Sequence, residues 1–411
     1  MKVFRTALQS IRANRLRSTL AGFGIAWGIF LLVIFLGIGN GFRDGVMMMF
    51  SSFAQKSLFV YGGQTSSESS ELGENTQVYF DESTIEGIRR RYSCVMSISP
   101  EMMAQAVNLS CGRETMVSAV KGVSADYFKI KILEVKDGRR ISRLDNACGR
   151  YVAVIGEGIR KTLFGKQDGL GRMIDIGGSL FKVIGVLSSD DIFSVQERNS
   201  VYIPSEAFYS SFNSEGKLSS LCLSLSQDMN TSEIEKDLKG WLAWKYGFDP
   251  HDESALYIAN IETQTSAFES LFRGLEVLIW IVGVCLLLSG IVGVCNVMLI
   301  IVKERTNEIG IRKAVGATSR SIISMIMAES VTITFIAGVI GIVLGTLVVL
   351  LSDSVILPLL NTEIMDRISI NVPVVIAAFV ILCLSGLAAG LFPALKASQI
   401  TPVDAIRYDS R

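Results

Sequence analysis

Four stretches of this chain run without a charged side chain for as long as a helix needs to cross a hydrocarbon core, roughly 20 residues. They are 18–41, 277–302, 330–352 and 368–395, and no other segment reaches that length. Between the first and second lies 42–275, a stretch of ordinary soluble composition. Hydrophobic residues make up 49% of the chain and mean hydropathy is +0.43, yet 39 basic side chains balance 39 acidic ones. Apolar and charged residues must therefore be segregated along the sequence. The expected fold class is a membrane α-helical protein with four transmembrane helices and a large extracytoplasmic α/β domain inserted between helices 1 and 2.

Lys and Arg set the expected orientation, because basic flanks stay cytoplasmic. The segment before the first span, the 303–320 loop and the C-terminal tail together carry 13 basic residues against 4 acidic; 42–275 carries 25 against 30. Both termini and the loop are expected inside, and the large domain outside. The chain then divides into a cytoplasmic amphipathic helix (1–17), spans at 18–41, 276–302, 321–352 and 368–395, and an outer α/β domain with its stalk (42–275). The remaining pieces are a cytoplasmic loop (303–320), a short outer loop (353–367) and a cytoplasmic tail (396–411). A cleavable signal peptide would also join a basic start to an apolar run. Here the run is long and no A-x-A-like site follows it, so a retained span is expected.

Within the N-terminal segment, Val3, Phe4, Ala7, Leu8 and Ile11 share one helical face, suited to the inner membrane surface. In the outer domain, β-rich runs predict strands at 57–61, 115–123, 151–155, 181–187, 199–203 and 218–225. Helical patterns cover 81–92, 157–164, 205–212, 231–246, and a run from 262 into the second span. The Ser, Gly and Glu-rich run 62–75 predicts a mobile loop. Gly338, Gly341 and Gly345 in span three, and Gly386 and Gly390 in span four, are spaced for close helix approach in lipid.

Residues able to do chemistry are sparse. The single histidine, His251, lies in the polar run 249–253, where a solvated loop outweighs an acid–base or metal role, and no second His or C-x-x-C supports a metal site. No G-x-x-x-x-G-K-[ST] is present, so ATP hydrolysis is not expected on this chain. Arg89, Arg90 and Arg91 end a predicted helix, where they complement its dipole rather than bind nucleic acid. Cys94, Cys111, Cys148 and Cys222 lie in the outer domain; free thiols and any of three pairings stay open. Glu329, just before span three, is expected to make an interfacial or coupling-helix contact. The 303–320 loop is unusual: Glu308 and Arg312 stand at i,i+4, with Ile311 and Val315 on another face, predicting a short amphipathic helix ended by Gly316.

That loop, KERTNEIGIRKAVGAT at 303–318, closely resembles the cytoplasmic signature of MacB/FtsX-like ABC transporter permeases. Three further stretches agree in order: NRLRSTLAGFGIAWGI (14–29) is similar to the family's first span. The run 138–187, with LFG-x-x-x-x-x-G and F-x-V-I-G-V, is similar to its MacB-type outer domain, and SGLAAGLFPALKASQITPVDAIR (385–407) to its fourth span and exit. The pattern departs most at 62–115 and 205–260, where no substrate is implied. The resemblance implies a homodimer in a bacterial inner membrane, bound to a separate ABC ATPase that holds ATP and Mg, with no cofactor on this chain. It assigns ATPase coupling to Glu304, Arg305, Glu308, Ile309, Gly310, Ile311, Arg312, Lys313, Gly316 and Ala317. It also implies a periplasmic adaptor and an outer-membrane channel as further partners, with membrane lipid around the spans and no nucleic acid. The work done would be efflux or export of drugs, peptides or lipoproteins. A membrane-anchored sensor or scaffold, for example one controlling cell-wall hydrolases without transport, is the alternative.

Overall fold

A computed structural model describes residues 15–66, 73–165, 167–188, 195–212, 217–352 and 372–401. The expected helix at 1–14, the outer loop at 353–367, the first residues of span four and the tail from 402 lie outside the described residues. The chain separates into two compact units, one formed by the segments up to Gly45 and from Ser270, the other by Val46–Glu269.

Among the described residues, four helices are long and apolar enough to cross a membrane: α1 (Arg15–Ser51), α9 (Ile261–Glu304), α11 (Ser319–Leu351) and α12 (Val372–Ser398). Between α9 and α11 lies the short α10 (Thr306–Ala314). Ile25, Ile29 and Val33 recur on one face of α1 and pack with Val294 and Met298 of α9, Ile326 and Ile333 of α11, and Leu382 and Ala389 of α12. The opposite faces are apolar as well: Trp27, Ile281, Leu288, Val343, Leu347 and Leu384 are all exposed. A helix apolar all round is a membrane span rather than a surface helix of a soluble domain, since a soluble one would expose charge on its outer face. At Gly341 an added Cβ would stand 2.5 Å from the Ala26 backbone carbonyl oxygen, so α1 and α11 touch nearly backbone to backbone. Span four approaches span three similarly, with the Ser330 hydroxyl donating to the Gly386 carbonyl at 3.3 Å.

α1 continues ten residues beyond the expected end of span one, through Arg43 and Asp44 to Ser51. Charge ends a membrane window, but a helix needs only its i→i−4 bonds, and Phe42, Val46 and Phe50 carry an i,i+4 row onward. α9 likewise begins at Ile261, well before its span, close to the expected run from 262.

In the second unit the strands are β1 (Ser57–Gly62), β2 (Val95–Cys111), β3 (Glu114–Val123), β4 (Val135–Gly138), β5 (Val152–Ile155), β6 (Met173–Ile176), β7 (Ser179–Leu187), β8 (Ser200–Pro204), β9 (Ser220–Leu225) and β10 (Leu256–Asn260). The helices are α2 (Glu82–Arg91), α3 (Tyr127–Ile130), α4 (Arg143–Ala147), α5 (Glu157–Phe164), α6 (Val195–Arg198), α7 (Ser205–Phe212) and α8 (Thr231–Tyr246). One mixed sheet runs β10-β1-β9-β2-β3-β8-β5-β7-β4, with β6 pairing β2 and β7; β3–β8 and β5–β7 are parallel. Period-two alternation assigns each strand two duties. Leu58 and Val60, Val201 and Ile203, Leu221 and Leu223 enter one core under the helices, while Phe59, Tyr202 and Cys222 enter a second core on the other face.

All six expected strands and all four expected domain helices are present to within two residues. Sequence reading missed β2, the longest strand, because Pro100 and the polar run beyond it break its pattern. Pro100 is tolerated because the β3 ladder begins only at Glu101, and a bulge between Ala104 and Val107, with Ala106 at φ +54°, bends the strand onto β6. The expected mobile loop has a paired base: Gln64 bridges Gln77, and Ser66 donates twice to Asp252 (2.7 and 2.9 Å). Its centre, 67–72, lies outside the described residues.

Candidate coupling site

α10 is bounded by a side-chain bond that closes the end of α9 and by a glycine that closes its own last turn. Thr306 Oγ1 donates to the Lys303 carbonyl at 2.7 Å, where the chain leaves α9. At the other end Gly316 N–H donates to Lys313 O and Ala317 N–H to Arg312 O, each at 3.0 Å, with Gly316 at φ +101°. This is a Schellman closure, which places glycine where a Cβ would strain the backbone. Thr318 then caps α11, accepting from Ser321 N–H.

The ten residues assigned to coupling by resemblance divide between two faces. Inward, Ile309 is 2% exposed and Gly310 is buried; Arg305, Arg312, Lys313 and Ala317 are half-buried. Arg305 Nη1 lies 3.2 Å from Oε2 of the buried Glu329, so the expected contact of that carboxylate is with the residue that opens α10. Lys313 Nζ donates to the carbonyls of Ser398 (2.5 Å) and Ile400 (2.9 Å), satisfying groups left open where α12 ends. Arg312 donates to Glu308 at 2.7 Å and contacts the Met325 sulfur. Outward stand Glu304, Glu308, Ile311 and Gly316, with Asn307 and Val315 beside them. Ile311 is 58% exposed and Val315 is 85% exposed. The result is a short helix tied to two neighbouring helices, presenting an apolar pair between polar rims.

The other residues singled out in the sequence do not assemble a reaction centre. His251 is exposed in a turn in which its N–H donates to Asp249 Oδ1 at 2.8 Å, and Asp252 accepts from Ser66, Ser254 and Ala255. Arg89, Arg90 and Arg91 pair with Asp126, Glu86 and Asp237 respectively. Cys94, Cys111, Cys148 and Cys222 are all free thiols. Among the described residues, no group of three or more His, Cys, Asp or Glu could hold a metal ion.

One cluster had no signal in the sequence. On the second-core face of the sheet, Lys121 and Lys131 meet Glu197 Oε1 at 3.1 and 2.8 Å and Glu101 Oε1 at 3.7 and 3.9 Å. Tyr127 donates to Glu101 at 2.9 Å and Cys222 to its other oxygen at 3.3 Å. Burial alone would push the Lys131 ammonium down, but Glu197 and Glu101 outweigh it and hold it above its ordinary range. Burial would raise the Glu197 carboxyl; Lys131 and Lys121 overcome that and keep it low. The four charges come from β2, β3, α6 and the turn after α3, separations that no local pattern marks.

Comparison with known proteins places these elements in context. Residues 18–240 match the family described as MacB-like periplasmic core domain, and 280–402 match the FtsX-like permease C-terminal family. The chain is 29% identical over 98% of its length to the macrolide export ATP-binding/permease protein MacB of Chromobacterium violaceum. It is 27% identical over its full length to the protein of the same name from Neisseria gonorrhoeae. It spans 60% and 61% of those relatives. The crystal structure of the periplasmic region of MacB from Actinobacillus actinomycetemcomitans aligns with 53% of the chain and 95% of itself, at 20% identity and TM-score 0.44. The extracellular domain of the noncanonic ABC-type transporter YknZ from Gram-positive bacteria aligns over 50% of the chain, also at 20% identity, with TM-score 0.42.

Proposed function

Because the chain belongs to the family that joins a MacB-like periplasmic core domain to an FtsX-like permease C-terminal region, we propose that it is the membrane subunit of an ABC-type machine. ATP and Mg are held by a separate ATPase subunit, and the chain works as a homodimer in a bacterial inner membrane. Both termini and α10 face the cytoplasm and the α/β domain faces outward, as the basic flanks favour. The observation that carries the reading is the anchored α10, whose outward Ile311 and Val315 stand exposed and, among the described residues, join no hydrophobic core. An ATPase that covers this pair and then moves drags α10 with it. Arg305–Glu329 and Lys313 pass the displacement to α11 and α12, and α9, continuous for 44 residues or about 66 Å, passes it outward.

The relatives are named for macrolide export, and export of drugs, peptides or lipoproteins with a periplasmic adaptor and outer-membrane channel is the role we assign here. The test is co-expression with ATPase subunits from the same genome, purification in detergent, and assay of bound ATPase and its turnover. Ile311→Asp with Val315→Asp is expected to abolish co-purification. An ATPase that stays bound and fully stimulated in that variant would refute the assignment. If no ATPase binds the unaltered chain under any nucleotide condition, a sensor or scaffold without transport becomes the reading.

A further inference from the structure

Two neighbouring positions of α8 are not accounted for by packing among the described residues. Trp244 is 80% exposed, leaving a large apolar ring in water. Gly240, in the helix interior, is a poorer helix former than alanine, yet an added Cβ would meet nothing within 4 Å. The contrast is Gly87 of α2: a Cβ there would collide with the Trp241 ring at 2.8 Å, so that glycine is explained by packing. Gly240 and Trp244 stand at i,i+4 and share one face with Lys236, one further turn back. Together with Arg91, Asp237 and Trp241 they line a shallow groove of about 530 Å³ with Gly240 among its lining residues.

The polar groups of the groove are already oriented. Arg91 Nη2 and Nε donate to Asp237 at 3.2 and 3.3 Å, and Tyr92 OH donates to the same carboxylate at 2.5 Å. Arg91 and Asp237 thus cancel in charge while keeping spare donor and acceptor capacity. Lys236 is exposed and, among the described residues, has no ion-pair partner, so the groove carries one uncompensated positive charge. Its lining contains no aliphatic side chain that could form a socket for a peptide's apolar anchor.

The geometry points to a saccharide site: a sugar ring lies over the Gly240 gap with its C–H face on Trp244, its hydroxyls bond Arg91 and Asp237, and an acid group on the sugar meets Lys236. This site is separate from α10 and stands whether or not an ATPase docks there. The test uses the full chain in lipid nanodiscs and two probes, the disaccharide of N-acetylglucosamine and N-acetylmuramic acid, which carries a carboxylate, and neutral diacetylchitobiose. Saturation-transfer NMR and titration are expected to show both binding, the acidic one tighter. Trp244→Ala should weaken both at least ten-fold. Gly240→Leu, which improves helix propensity, should abolish binding by filling the gap. Lys236→Gln should remove only the preference for the acidic probe. Unchanged thermal melting of Trp244→Ala and Gly240→Leu excludes misfolding, and Trp244→Tyr, which restores a ring if Ala perturbs the fold, should retain binding. Failure of both probes to bind the unaltered chain, or binding indifferent to Trp244→Ala and Gly240→Leu, overturns the site. So does displacement of the sugar's role by a Glu-rich peptide that binds through the same residues.

Discussion

Ile309 and Ile311 are two positions apart on α10 and have opposite duties: one is buried in its own chain and the other stands in solvent. Ile311→Asp is therefore expected to leave the melting temperature unchanged while lowering recovery of the ATPase at least ten-fold. Ile309→Asp should instead destabilise the membrane unit by several kcal/mol, because a carboxylate replaces a side chain in a closed core. The contrast between melting curves and co-purification checks the pair. A second residue-scale expectation concerns Asp145, which accepts from Arg139 at 2.5 and 3.1 Å and completes a capping box with Ser142. Arg139 foremost, against the opposing effect of burial, holds its carboxyl far below the usual range. The stability this contributes is fully present above the unfolded value of about 3.9 and is lost as pH falls through the lower folded one. Asp145→Asn should cost about 1–3 kcal/mol at neutral pH, with the exposure of Arg139 holding it toward the low end. The gap to the unaltered protein should close below about pH 4 in thermal melts across pH.

Helix α10 tests how far an element can be read in advance. Its existence, its i,i+4 pair and its glycine stop were legible, because each is a local pattern within about ten residues. Which residues face inward was not, since Arg305–Glu329 and Lys313–Ser398 join positions on different helices. The same division runs through the outer domain: strands with clean alternation were found, whereas the first half of β2, with Pro100, is held by β9, more than a hundred residues away in the sequence. Lys313→Ala is expected to keep the ATPase bound but reduce stimulation of its turnover, because α10 would still present Ile311 and Val315 while losing its tie to the end of α12. Gly316→Val, forced to φ +101°, should cost about 1–3 kcal/mol and weaken both binding and stimulation, measured in the same co-purification assay.

At the scale of the molecule, α9 is the longest element among the described residues, running from Ile261, directly after β10, to Glu304, directly before α10. Its continuity yields a sharp expectation at Gly274, where no neighbour crowds the helix. Gly274→Pro removes an i→i−4 bond and costs about 2–3 kcal/mol relative to glycine. The variant should retain ATPase binding, yet lose transport in a vesicle export assay; export at the original rate would mean that the helix transmits nothing. The largely buried quartet of Glu101, Lys121, Lys131 and Glu197 has a consequence of another kind. Removing one member strands a charge out of water at about 3–5 kcal/mol, whereas replacing the set by well-packed apolar side chains can be neutral. Single steps away are closed and joint ones are open, so descendants of this domain should inherit the four residues together or have exchanged them in oppositely charged couples.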